Sequence, residues 1–132
     1  MIRSFLKLPV ITTVIFCLTI NCAFDVILVK QQPAHFEPNT LDQYVWTLGE
    51  DTKISLDTGY TRKLKAGTRW HCIGKIENGD VFKTNDQILT VEGSNIYEAC
   101  IVVFEGYLVG FYLPGNQTFS PLSSKKLLPF EK

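Results

Sequence analysis

Ile96-Tyr97-Glu98-Ala99-Cys100-Ile101-Val102-Val103-Phe104, then Glu105-Gly106, then Tyr107-Leu108-Val109-Gly110-Phe111-Tyr112-Leu113 is the stretch whose reading decides the fold. Two β-prone runs joined by a short glycine-containing link read as a hairpin. Neighbouring side chains on a strand point to opposite faces. With Phe104 facing Tyr107, one face carries Cys100, Val102 and Phe104 opposite Tyr107, Val109 and Phe111. The other carries Ala99, Ile101 and Val103 opposite Leu108, Gly110 and Tyr112. Both faces are apolar, so these strands are expected to be covered on both sides. A barrel or a sandwich provides that cover, and a single open sheet does not.

Upstream, Trp70 to Ile76 and Val81 to Lys83 flank Asn78-Gly79. Asn-Gly between β-prone runs predicts a second hairpin with a type I′ turn, in which both central residues take positive φ. Shorter runs follow the same pattern: Tyr44 to Leu48, Lys53 to Leu56, Tyr60 to Leu64 and Gln87 to Val91. Pro114-Gly115-Asn116 fits a type II turn, with Pro first and Gly second of the central pair. Gly74 and Gly110 inside strands suit bulges or sharp bends. Outside the leader, no stretch shows a helical period, apart from one turn expected near Thr40 to Tyr44. The fold class is therefore all-β: a small barrel, SH3-like or similar, or a compact sandwich, of about six to eight mostly antiparallel strands. The divisions are a leader over 1–23, an extended N-terminal segment or linker over 24–40, a β-domain over 41–123 and a C-terminal coil over 124–132. A first strand over Phe24 to Val29 is a further reading.

The N-terminus reads in three zones. Arg3 and Lys7 give a positive start, Leu8 to Ile20 an uncharged apolar run, and Asn21-Cys22-Ala23 a small and polar close. That is the plan of a helical export signal, followed by one domain of about 110 residues. The apolar run is shorter than the roughly 20 residues of an ordinary membrane span. Cleavage after Ala23 is the first reading. Lipidation of Cys22, in a loosely lipobox-like Leu18-Thr19-Ile20-Asn21-Cys22, is the second, and a retained leader the third. The expected location is periplasmic, secreted or envelope-anchored, and a membrane is met only through a lipid anchor or an uncleaved leader.

The chain has 13 Lys+Arg against 13 Asp+Glu, and two of the basic residues lie in the leader. The remainder carries about −2, which argues against nucleic acid as a partner, because such binding draws on a net positive field. Cys17 leaves with the leader. Cys72 and Cys100 remain, and two cysteines in an exported domain suggest one disulfide; two buried free thiols are the alternative. Cys-x-x-Cys and His-x-x-x-His spacings are absent, so no metal or other cofactor is expected.

No serine elbow of the Gly-x-Ser-x-Gly type occurs. His71 and Cys72 are neighbours on a strand and point apart, so they form no dyad. Among Glu92, Glu98 and Glu105, only Glu98 falls in a strongly apolar run, where it should be paired or lie at a strand end. His35 reads as a solvated loop residue. Arg62, Lys63, Lys65 and Arg69 form a basic cluster that reads either as a solvated hairpin face or as an anion site. Of the aromatics, Trp70, Tyr97, Tyr107 and Tyr112 are the candidate contact residues, set against core filling for each. Asn116-Gln117-Thr118 matches a glycosylation sequon, relevant only in a eukaryote.

The expected function is a non-enzymatic binding or accessory protein of the cell envelope. An exported hydrolase using Glu98 or a free Cys72, and a structural subunit of an envelope complex, are the alternatives.

Overall fold

A computed structural model describes residues 28–40 and 44–131. The leader, most of the Phe24–Val29 strand and most of the turn expected near Thr40 to Tyr44 lie outside the described residues. The rest is all-β and antiparallel, as the alternating apolar pattern requires.

The strands are β1 (Gln32–Pro33), β2 (Glu37–Pro38), β3 (Val45–Leu48), β4 (Thr52–Ser55), β5 (Thr61–Leu64), β6 (Arg69–Ile76) and β7 (Gly79–Lys83). They continue as β8 (Thr90–Glu92), β9 (Ile96–Glu98), β10 (Cys100–Phe104), β11 (Tyr107–Leu113), β12 (Thr118–Leu127) and β13 (Phe130–Glu131). The main sheet runs β1-β12-β11-β10-β7-β6-β3-β13, with β2 pairing β6 at Glu37↔Lys75 and Pro38↔Gly74. Hairpins β4–β5 and β8–β9 stand apart from it.

Chain length alone shows that this sheet cannot be flat. Strands spaced about 4.8 Å apart would put β1 and β2, six spacings distant, roughly 29 Å from each other. From Pro33 to Glu37 the chain can span only roughly 14 Å. The same spacing separates β12 from β13, yet only Leu128 and Pro129 join them, a reach of roughly 11 Å. The sheet must therefore coil until opposite corners meet. Residues 34–36 bridge one pair of corners over one face, and residues 128–129 bridge the other pair over the opposite face.

Two apolar clusters follow from this arrangement. The inner one gathers Leu48, Leu64, Trp70, Cys72, Phe82, Ile101, Leu108, Phe111 and Leu128, with Ile54, Leu56 and Val91 from the two separate hairpins. The outer one gathers Ile76, Val81, Cys100, Val102, Tyr112 and Phe119, with Ala34 and Phe36 of the N-terminal segment packed on it. Residues 32–38 are thus a strap over the outer face. Gln31 fastens the strap, accepting hydrogen bonds from Asn116 Nδ2 at 2.9 Å and Thr118 Oγ1 at 2.7 Å. Residues expected as a C-terminal coil are instead the closing strands β12 and β13. Leu128 N donates to Gly106 O at 3.0 Å and Gly49 N to Pro129 O at 2.7 Å.

Local differences have local causes. Phe104 does pair with Tyr107, but a bulge after Val102 makes Val109 the extra residue. Beyond it the faces exchange, so Phe111 joins Ile101 inside and Tyr112 joins Cys100 outside. The two-residue turn after β6 is Glu77-Asn78, closed by Ile76↔Gly79, and neither has positive φ. The positive-φ pair sits at Glu105 (52°) and Gly106 (84°), a type I′ geometry. In the Pro114–Gln117 turn the left-handed residue is Gln117 (54°) rather than Gly115, so no type II turn forms. The Ile96–Phe104 run breaks at Ala99, whose N–H donates to Leu89 O.

Candidate functional site

The outer face is only half covered. The strap lies over its Phe119–Tyr112–Cys100 side, where the Phe36 ring stacks on Tyr112 at 5.3 Å and 20°. At the other end, beside the Glu105-Gly106 turn, the registers Phe104↔Tyr107 and Tyr107↔Leu127 set three large side chains in one row across β10, β11 and β12. Phe104 is 55% exposed and Leu127 59%, with Tyr107 half-buried between them. They face outward because Val103, Leu108 and Leu128, the next residues along, face the inner core. Single exposed apolar residues are ordinary; these three stand together in one row on paired strands.

Polar groups flank the row. On the β12 side, Lys125 Nζ lies 4.4 Å above the Tyr107 ring, a cation–π contact. On the β7 side, Gly79 packs against Val103. Beyond it is a groove of about 470 Å³ lined by Ala34, His35, Glu37, Lys75, Ile76 and Glu77, among others. Ala34 and Ile76 give it apolar surface, and Glu37, Lys75, His35 and Glu77 a mixed polar one, with Glu37 and Lys75 paired at 3.8 Å.

Of the four contact candidates, only Tyr107 lies in this row. Trp70 is 1% exposed and Tyr112 5%, so both are core residues, one in each cluster, and neither offers a contact surface. Tyr97 is half-buried and packs on the inner cluster. Phe104 and Leu127 were missed by sequence. Phe104 looks like one more core position of an apolar strand, and Leu127 falls where a coil is expected.

The expected Cys72–Cys100 bridge is not formed. The two cysteines are free and buried, Cys72 in the inner cluster and Cys100 in the outer, so the sheet itself separates them. Cys72 Sγ donates to Gly74 O at 3.6 Å, and burial pushes the Cys100 thiol up to about 11. Glu98 is exposed at the end of β9. It shares a cleft of about 330 Å³ with Lys83, Asn85 and the nearly fully exposed Ile88.

The basic cluster is largely neutralised from within. Arg62 pairs with Glu92 at 2.9 Å, Lys63 with Asp51 at 3.0 Å and Arg69 with Asp86 at 3.1 Å. The Arg69 side chain, and then its backbone N–H, holds the Asp86 carboxyl below its ordinary value. This cluster fastens loops to one another.

Comparison with known protein families, curated proteins and solved structures gives no match for this chain.

Proposed function

We propose that this chain is an exported β-domain acting as a non-enzymatic binding or accessory protein of the cell envelope, with the Phe104–Tyr107–Leu127 row as its contact surface. The row itself carries the reading. Two large apolar side chains, each more than half exposed, flank a tyrosine on hydrogen-bonded strands. Large apolar side chains held side by side on paired strands offer area that a partner can bury. Export rests on the three-zone leader of the sequence.

The test is fractionation of the native host, with intact mass of the recovered protein, for the wild type and Phe104→Glu. The wild type is expected outside the cytoplasm, cut after Ala23 or carrying a diacylglyceryl group on Cys22. Phe104→Glu is expected to keep its melting temperature and to lose its envelope contact. A full-length cytoplasmic product, or a variant that behaves as the wild type, would remove the reading.

A further inference from the structure

We infer that the strap is a hinged lid, which lifts off the outer face as a unit while the rest of the sheet stays closed. The Phe104–Tyr107–Leu127 row lies outside its cover.

Little holds the strap down. Of its side chains only Ala34 and Phe36 pack on the outer cluster, each partly buried, while Gln32, Pro33, His35, Glu37 and Pro38 are exposed. Its ladders are two residues long at either end, Gln32↔Phe119 with Pro33↔Thr118 and Glu37↔Lys75 with Pro38↔Gly74. Pro33 and Pro38 have no N–H to give to them. The other ties are single contacts. They are the Gln31 clasp, the exposed Glu37–Lys75 pair at 3.8 Å, and Ala34 N donating to Gln117 O at 3.1 Å. At the end of the strap, Asn39 N donates to Ile73 O at 3.1 Å and its Nδ2 to Cys72 O at 2.6 Å. Few buried contacts and short, exposed ladders mark segments that open at less than the cost of global unfolding.

The sheet does not need the strap to stay closed. β1 is the end strand of the main sheet and β2 pairs off its path, so their departure leaves β12-β11-β10-β7-β6-β3-β13 paired throughout. Leu128 and Pro129 still close that sheet, and no side chain of residues 32–38 belongs to the inner cluster. Val29, buried in the inner cluster, and β3, paired to β6, hold the lid at its two ends. Lifting it uncovers one of the two thiols. Cys100 lies on the outer face in register with Tyr112, on which Phe36 stacks. Cys72 lies in the inner cluster, on the far side of the intact sheet.

Alkylation by iodoacetamide in sub-denaturing urea, read by peptide mass at Cys72 and Cys100, tests the lid on the chain as its host leaves it. Cys100 should react roughly tenfold or more faster than Cys72, because it needs only the local opening. Its rate should also depend less steeply on urea, since lifting the lid exposes less surface than unfolding. Gln31→Ala removes the acceptor of two hydrogen bonds and should speed Cys100 by about tenfold while leaving Cys72 unchanged. Phe130→Ala, which loosens the inner core instead, should speed Cys72 and leave Cys100 nearly as it was. General damage to the fold would not separate the two sites in this way. A common rate and urea dependence for both thiols, or variants that move both rates alike, would overturn the lid: the strap would then open only with the whole fold.

Discussion

At Gly110 a methyl group would run into the Ser120 carbonyl oxygen and sit 2.6 Å from the Phe119 ring. At Gly74 it would meet the Glu37 carbonyl oxygen and sit 2.7 Å from the Phe36 ring. Each glycine lets another segment close onto the sheet: β12 at Gly110, the strap at Gly74. Overpacking of this kind costs roughly 1–3 kcal/mol, so Gly110→Ala and Gly74→Ala should each lower the thermal midpoint by several degrees. Gly74→Ala should in addition expose the strap to protease, which Gly110→Ala should not. Asp86 gives a pH signature at the same scale. Its folded carboxyl lies below the ordinary 3.8, so its contribution is present above that value and is lost as pH falls through the folded value. Asp86→Asn should therefore flatten the acid limb of stability measured below pH 4, and leave the neutral-to-basic slope unchanged.

At the scale of elements, both chain ends act as closures. Phe130 meets Trp46 at 5.0 Å and Phe82 at 6.0 Å, and so sews β13 to the seam of the inner core. Phe130→Ala should cost about 2–3 kcal/mol, toward the low end for a phenylalanine because the ring is only partly buried, and denaturant midpoints would show it. The strap predicts a comparable loss for Phe36→Ala, accompanied by faster modification of Cys100 by thiol reagents as the outer face opens. In the intact fold Cys72 and Cys100 should resist such reagents, and unfolding should release these two thiols with no reduction step. The hairpins β6–β7 and β10–β11 were legible in the sequence because alternation and turn residues are local signals. Which hairpin holds the type I′ turn was not. Asn-Gly is the stronger local signal, but the β6–β7 turn closes one residue earlier, at Glu77-Asn78, and its Gly79 packs against β10.

For the whole molecule, the prediction that follows from closure is cooperativity. Strap and C-terminal strands each span several strands of the main sheet, so shortening the chain before Leu128 should abolish a sharp unfolding transition rather than fray one edge. Calorimetry on that truncation against the full chain would show a broad, low-enthalpy transition in place of a single peak. The sequence reading of 124–132 as coil failed here because Pro121 and Pro129 are local breakers, whereas pairing with β11 and β3 is a long-range gain.

The sequence by itself determined that the fold is all-β and that the Cys100–Leu113 hairpin is apolar on both faces, since strand period and apolar count are properties of the chain. Only the tertiary structure decided which side chains stay in contact with solvent. One bulged residue at Val109 exchanges the faces of everything beyond it, so Tyr112 is buried under Phe36 while Tyr107 and Phe104 remain outside. Exposure depends on which segment crosses over a face, and the strap and the closing strands are fixed by contacts far apart in the chain. The local pattern of a strand carries no record of them.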